Sequence, residues 1–199
     1  MKKNALLIFV RNPELGKVKT RLAATLGNEN ALIIYQELLR HTRKITEYLP
    51  VRKLLFYADE IQENDNWPKE NFERFQQAPG DLGIKMQAAF MGAFALGAKH
   101  VILIGSDCYE MTSETILEAF EKLKTHDAVI GPAVDGGYYL IGFSRPNNTV
   151  FEDKTWSTNT VFKDTIQDLE NYGFSYFSLP FLNDVDEEKD LGILRKLIV

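Results

Sequence analysis

Three groups of residues in this chain have the types and spacing to do chemistry. The first is a run of cations, Arg11, Lys17, Lys19 and Arg21, within the stretch Arg11-Asn-Pro-Glu-Leu-Gly-Lys-Val-Lys-Thr-Arg-Leu22. Cations in the first turn of a helix oppose its macrodipole, so this placement points to an anionic ligand, a phosphate above all, which arginine grips in bidentate fashion. The second is Asp107, directly after the apolar run Val101-Ile-Leu-Ile104 and the turn-forming Gly105. A carboxylate there is sited to hold a divalent cation against phosphate oxygens, or else to cap a turn. The third is Asp184-Val-Asp186, whose alternation in an extended segment turns both acids to one side. Glu187, Glu188 and Asp190 follow, so an acidic helix start with Asp186 as cap is the competing reading.

Two further stretches are candidates. Asp135-Gly136-Gly137-Tyr138 is either a hairpin turn or a place where a ligand approaches the backbone. Trp156-Ser157-Thr158 offers an aromatic wall and two hydroxyls, or a helix cap with a packed indole. Other chemistries find no support. The first loop lacks the preceding glycine and following hydroxyl of a Walker A loop, and no Gly-x-Gly-x-x-Gly follows a strand. His41, His100 and His126 form no ligand spacing and suggest no Ser/His/Asp triad.

These groups need elements to carry them. Ala5-Leu-Leu-Ile-Phe-Val10 is too short for a helix core and right for a strand buried on both faces, as in a parallel sheet. The cationic loop then leaves its carboxyl end, the edge where open α/β sheets bind ligands. Apolar positions from Leu32 to Leu49 recur at helical spacing up to Pro50. Strands are expected at 52–57, 101–104, 128–131, 138–143 and 174–179, with a short one near 72–75 and an irregular excursion over 61–71. Helices are expected from Gly80-Asp-Leu-Gly83, with Asp81 as cap, from Thr112 or Ser113, over 159–172, and from about Glu187. The link 133–137 is too short for a parallel crossover, so the strands it joins are antiparallel or not adjacent. The pattern is an α/β protein, a three-layer α/β/α sandwich with a mostly parallel sheet and one antiparallel strand.

Composition narrows the function. With 199 residues and 45% apolar content the chain can build one substantial core and is expected to form a single domain over 1–199. A net charge of −5 argues against general binding to nucleic acid or anionic membrane. Cys108 is the one cysteine, so neither an intrachain disulfide nor a thiolate zinc site can form. No stretch approaches the roughly 20 apolar residues of a bilayer span, and the opening run lacks a cleavage site. A cytoplasmic protein is expected.

Taken together, the first loop, Gly80-Asp-Leu-Gly83, Gly105-Ser-Asp-Cys108, Gly131-Pro-Ala-Val-Asp-Gly-Gly-Tyr-Tyr-Leu-Ile-Gly142, Trp156-Ser-Thr158 and Asp184-Val-Asp186 resemble a bacterial glycosyltransferase-like family. It is variously labelled a domain of unknown function or a radical-SAM and selenodomain-associated transferase. The family is similar to the nucleotide-diphospho-sugar transferases, with their Rossmann-like GT-A domain, and to phospholactate and molybdenum cofactor guanylyltransferases. The resemblance implies that Arg11, Gly16, Lys17, Lys19 and Arg21 contact nucleotide phosphates, with Gly80, Asp81 and Gly83 also on the nucleotide side. It implies that Asp107, Asp184 and Asp186 hold Mg²⁺ or Mn²⁺, that Asp107, Lys19 and Arg21 act in catalysis, and that Asp135, Gly136, Gly137, Tyr138, Trp156, Ser157 and Thr158 line the acceptor side. The chain carries Ser106 and Tyr109 where Thr and Pro are expected in Gly-Thr-Asp-Cys-Pro, which leaves the carboxylate in place and alters the turn. The expected activity is glycosyl transfer from a nucleotide sugar to a small-molecule acceptor. Nucleotidyl transfer from a nucleoside triphosphate to a phosphorylated acceptor is the alternative, favoured by the extra acids. A non-catalytic nucleotide-binding protein is a third reading.

Overall fold

The computed structural model describes residues 3–147 and 149–198. The first apolar run forms β1 (Asn4–Val10), paired in parallel with β2 (Arg52–Tyr57) on one side and β4 (His100–Ile104) on the other. Continuous apolar runs suit strands covered on both faces, and these three occupy the interior of a seven-stranded sheet of order β3-β2-β1-β4-β6-β5-β7. The remaining strands are β3 (Glu73–Gln76), β5 (Ala128–Pro132), β6 (Tyr138–Phe143) and β7 (Tyr176–Ser178). The short link after β5 has the consequence expected of it: β6 runs antiparallel to both β5 and β4.

Five α-helices surround the sheet among the described residues: α1 (Thr20–Leu26), α2 (Asn28–Thr46), α3 (Leu82–Ala95), α4 (Ser113–Lys122) and α5 (Val161–Asn171). Side chains alternate across a strand, so β1 serves two cores. Leu6, Ile8 and Val10 pack in one core with Ile45 of α2 and Ile116 and Phe120 of α4. Ala5 and Leu7 pack in the other with Met86 and Phe90 of α3 and Leu169 of α5. The result is the three-layer α/β/α sandwich. Truncating a fully buried residue such as Leu7 to Ala would cost about 2–5 kcal/mol.

Two elements differ from the sequence reading. The helix α1 entered the sequence reading only as the setting that makes the loop's cations unfavourable, without bounds; it has seven residues and buries only Leu22, so it leaves no periodic apolar stripe. The terminal helix expected from about Glu187 is instead two short 3-10 turns, Glu188–Asp190 and Gly192–Leu197. Reciprocal capping between Glu187 and Asp190 closes the first turn, and Gly192 at φ 49 leaves the right-handed helical path.

Candidate functional site

The carboxyl end of β1 feeds the cationic loop, which is anchored rather than loose. Tyr35 of α2 reaches it: its hydroxyl accepts from Arg11 N at 2.8 Å and donates to Arg11 O at 3.1 Å. Burial pushes the Tyr35 hydroxyl up to about 12, so it stays a donor. Gly16 turns the chain at φ 77, and Val18 and Leu22 are buried. Between those two anchors Lys19, the residue preceding α1, adopts a left-handed conformation (φ 47, ψ 49), which costs a non-glycine residue on the order of 1 kcal/mol.

That conformation sends the lysine inward. Its side chain is 6% exposed, and Nζ donates to Asp186 Oδ1 at 2.9 Å and lies 2.9 Å from Asp107 Oδ1. Burial alone would pull the Lys19 ammonium down, but the two carboxylates together hold it above the ordinary lysine value. Asp107 arrives on the turn after β4, and the chain at 184–186 is stitched to it by a hydrogen bond from Val185 N to Asp107 O at 2.9 Å. Val185 is buried, which leaves Asp184 and Asp186 flanking it on the acidic side. Burial, reinforced by Asp107, Asp135 and Asp186 against the opposing pull of Lys19, raises the Asp184 carboxyl to about 7. Its Oδ1 is buried without a hydrogen-bond partner. Asp186 does not cap the following turn, a role Glu187 takes.

These groups border a cleft of about 640 Å³ over the carboxyl ends of β1 and β4, whose lining includes Arg11, Lys17, Lys19, Arg21, Gly80, Asp81, Asp107, Tyr138, Ser157, Asp184 and Asp186. Lys17 is exposed and paired with Glu14 at 2.6 Å; Arg21 is also exposed, with Nη1 3.8 Å from Asp186 Oδ2. Asp81 caps α3, accepting from Ile84 N at 2.9 Å. Ser157 has a positive φ of 62. The other candidates lie off the cleft. At Gly83 a Cβ would come within 2.5 Å of Phe151 O and 2.8 Å of the Trp156 ring, so this glycine seats the indole against α3 instead of facing a ligand. Gly136, at φ 93, is pressed against the backbone of Asn159, where a Cβ would meet the carbonyl oxygen at 2.1 Å. Asp135 accepts from Gly137 N at 2.9 Å, forming the turn between β5 and β6, although its charge still acts on Asp184. Thr158 donates to Thr155 O at 2.9 Å.

Sequence reasoning missed Lys85, Gln77 and Tyr35, all on the cleft. Lys85 and Tyr35 sit inside helical patterns that explain them without reference to a ligand. Phe9, Met86, Leu103 and Tyr138 add an apolar wall on the α3 side, and the Tyr138 hydroxyl donates to Met86 Sδ at 3.6 Å.

Whether the acids suit a metal ion can be judged from their chemistry. Carboxylate oxygens are the donors that Mg²⁺ and Mn²⁺ prefer, and Asp184 Oδ1 is an orphaned acceptor. Among the described residues, however, no three acidic, histidine or cysteine side chains form a ready-made cage, and the Lys19 ammonium stands between Asp107 and Asp186. The acids are thus donors of the kind a hard divalent cation takes, with the point between two of them held by an ammonium.

The model of a family described as an uncharacterized protein conserved in bacteria, DUF2064, matches residues 42–158. No curated protein matches the sequence. A crystal structure from Desulfovibrio desulfuricans G20, whose description proposes a nucleotide-diphospho-sugar transferase, is 34% identical with a TM-score of 0.87 over 99% of this chain and 88% of that one. More distant likenesses include the Anaerococcus prevotii 4-diphosphocytidyl-2C-methyl-D-erythritol synthase, 11% identical with a TM-score of 0.56 over 98% of this chain and 96% of that one. The inositol-1-phosphate CTP transferase from T. maritima is 10% identical with a TM-score of 0.56 over 99% of this chain and 95% of that one. These two share the fold. No helix among the described residues is long and apolar enough to cross a membrane.

Proposed function

This chain belongs to the DUF2064 family of bacterial proteins, and from that premise and the chemistry of its cleft we propose that it is a Mg²⁺- or Mn²⁺-dependent transferase moving a glycosyl group from a nucleotide sugar to a small acceptor. The observation that carries this reading is the meeting of Lys19, Asp107 and Asp186, drawn from three distant parts of the sequence, at one rim of the cleft. Its cationic side, Arg11, Lys17 and Arg21, receives the donor diphosphate and fixes its direction. Held this way, the bond between the sugar and the diphosphate faces the acceptor, which enters beside Tyr138 and Ser157. Charge that develops on the leaving oxygen is met by groups already in place, so rate comes from orientation and electrostatics. A divalent cation, held by Asp107, Asp184 and Asp186, would supply further positive charge against the leaving diphosphate. The apolar wall of Phe9 and Met86 excludes water from the α3 side.

A second reading has its own support. The third carboxylate, Asp184, is one more than a single bridging ion requires, and a two-ion site suits nucleotidyl transfer from a nucleoside triphosphate. Product analysis with a panel of nucleotide sugars and nucleoside triphosphates in Mn²⁺ separates the two: nucleoside diphosphate marks glycosyl transfer and pyrophosphate marks nucleotidyl transfer. Turnover should fall at least about a hundredfold in Asp107→Asn. Nucleotide binding without either product, with every donor tested, would overturn the transferase reading in favour of a nucleotide-binding protein.

A further inference from the structure

The acidic cluster already contains a cation. Lys19 reaches it from a backbone conformation that lysine rarely adopts, and Nζ is equidistant, at 2.9 Å, from one oxygen of Asp107 and one of Asp186. Two carboxylates converge on one ammonium, and a divalent cation seeking the same pair would have to displace it. Nitrogen and ion cannot share the pair, because like charges at such separations repel strongly in a partly buried site. The third acid is left over, with Asp184 Oδ1 buried and reached by no donor. Lys17 and Arg21 differ: their side chains are 71% and 63% exposed, and they can meet a phosphate without disturbing anything buried.

We propose that Lys19 is the resident counter-cation of this cluster and that it changes partners on binding, its ammonium passing from Asp107 and Asp186 to the phosphates of the incoming nucleotide while a divalent cation takes its former position. The inference rests on the metal-dependent reading above and adds an order to it: the ion is excluded alone and admitted with the nucleotide. Each exchange is matched in sign. An ion arriving alone would have to displace an ammonium with no new partner, and a nucleotide arriving alone would leave two carboxylates unpaired. Each ligand therefore raises the affinity of the other, and by linkage the factor is the same in both directions. The strained backbone fixes the base of the side chain, so the exchange needs only the flexible four-carbon stem to pivot into the adjoining cleft, which Lys19 already lines.

The test is binding of Mn²⁺ to metal-free protein without nucleotide, followed by electron paramagnetic resonance of the free ion, in the wild type, Lys19→Met and Lys19→Arg. The Met variant should bind Mn²⁺ about tenfold or more tightly than the wild type, and the Arg variant should match the wild type. A folded Met variant that binds no more tightly overturns the exchange; should circular dichroism show it unfolded, Lys19→Gln is judged by the same criterion. The wild type supplies a check independent of any variant: with inorganic pyrophosphate added, the protein must remove more free Mn²⁺ than a protein-free sample of the same Mn²⁺ and pyrophosphate accounts for, and indifference to pyrophosphate on that comparison also overturns the exchange. Mn²⁺ binding by the wild type that no Lys19 substitution alters removes the exchange and leaves the metal reading standing. No Mn²⁺ binding by any form, with or without pyrophosphate, removes both.

Discussion

Replacing Asp184 by Asn should make the metal-free protein more stable and the enzyme inactive, and the stability gain should depend on pH in a defined direction. The Asp184 carboxyl is raised from 3.8 to about 7. Between those values the folded chain holds a proton that the unfolded chain has released, so stability falls as pH climbs through the window. Below it both states are protonated and the side chain costs nothing; above it both are ionised and the cost is constant. A displacement of that size, at about 1.36 kcal/mol per tenfold, saturates near 4 kcal/mol, and solvent reaching this half-buried side chain reduces the usable figure to about 2 kcal/mol. Asn keeps the shape and removes the charge. Thermal melts in a chelator should therefore show the variant equal to the wild type near pH 4 and ahead of it near pH 8, by about 4–8 °C for a chain of this size. Product formation should be lost in the same variant. A gain of equal size at both pH values, or a loss near pH 8, would refute the account of a carboxyl forced into a partly buried acidic cluster.

Two other substitutions probe what positions the site. Gly83→Ala should cost about 3 kcal/mol of stability, read from urea denaturation, because the new methyl has no room between the Phe151 carbonyl and the Trp156 ring; a loss below about 0.5 kcal/mol would show that the indole is not seated there. Tyr35→Phe should cost about 1–3 kcal/mol and raise the KM for the donor more than it lowers kcat, since both hydrogen bonds to the Arg11 backbone vanish while no group on the reacting atoms is removed. Unchanged kinetics would mean that the loop holds its shape without α2.

The parts legible in the sequence are those where one physical demand dominates. A run of apolar residues such as Ala5–Val10 has nowhere to go but the middle of a sheet, and a five-residue link such as 133–137 cannot cross over, so the interior place of β1 and the reversed strand could be reasoned out, while the strand order could not. Carboxylates placed directly after apolar strands likewise announce the ligand edge, and Asp107 lies there with Asp186 beside it. What the sequence hid depends on where a side chain points. Lys17 and Lys19 read as equivalent phosphate grips, yet one is in solvent and the other is buried between two acids, a difference set by one left-handed residue. Lys85 passed as an ordinary helical residue, and Gly83 looked ligand-facing although it turns toward Trp156. The 3-10 turns after Glu187 replaced a helix because an acidic start says nothing about a glycine five residues later.

The hydrogen bond from Val185 N to Asp107 O has a temporal side. Every strand of the sheet precedes residue 184 in the sequence, so a growing chain can assemble the scaffold, the cationic loop and Asp107 while two of the three acids are still unsynthesised. Lys19 then lacks one of its partners, and the rim carries surplus positive charge until the final stretch docks and neutralises it. The charge balance of this rim is thus set only after the sheet it rests on has been made.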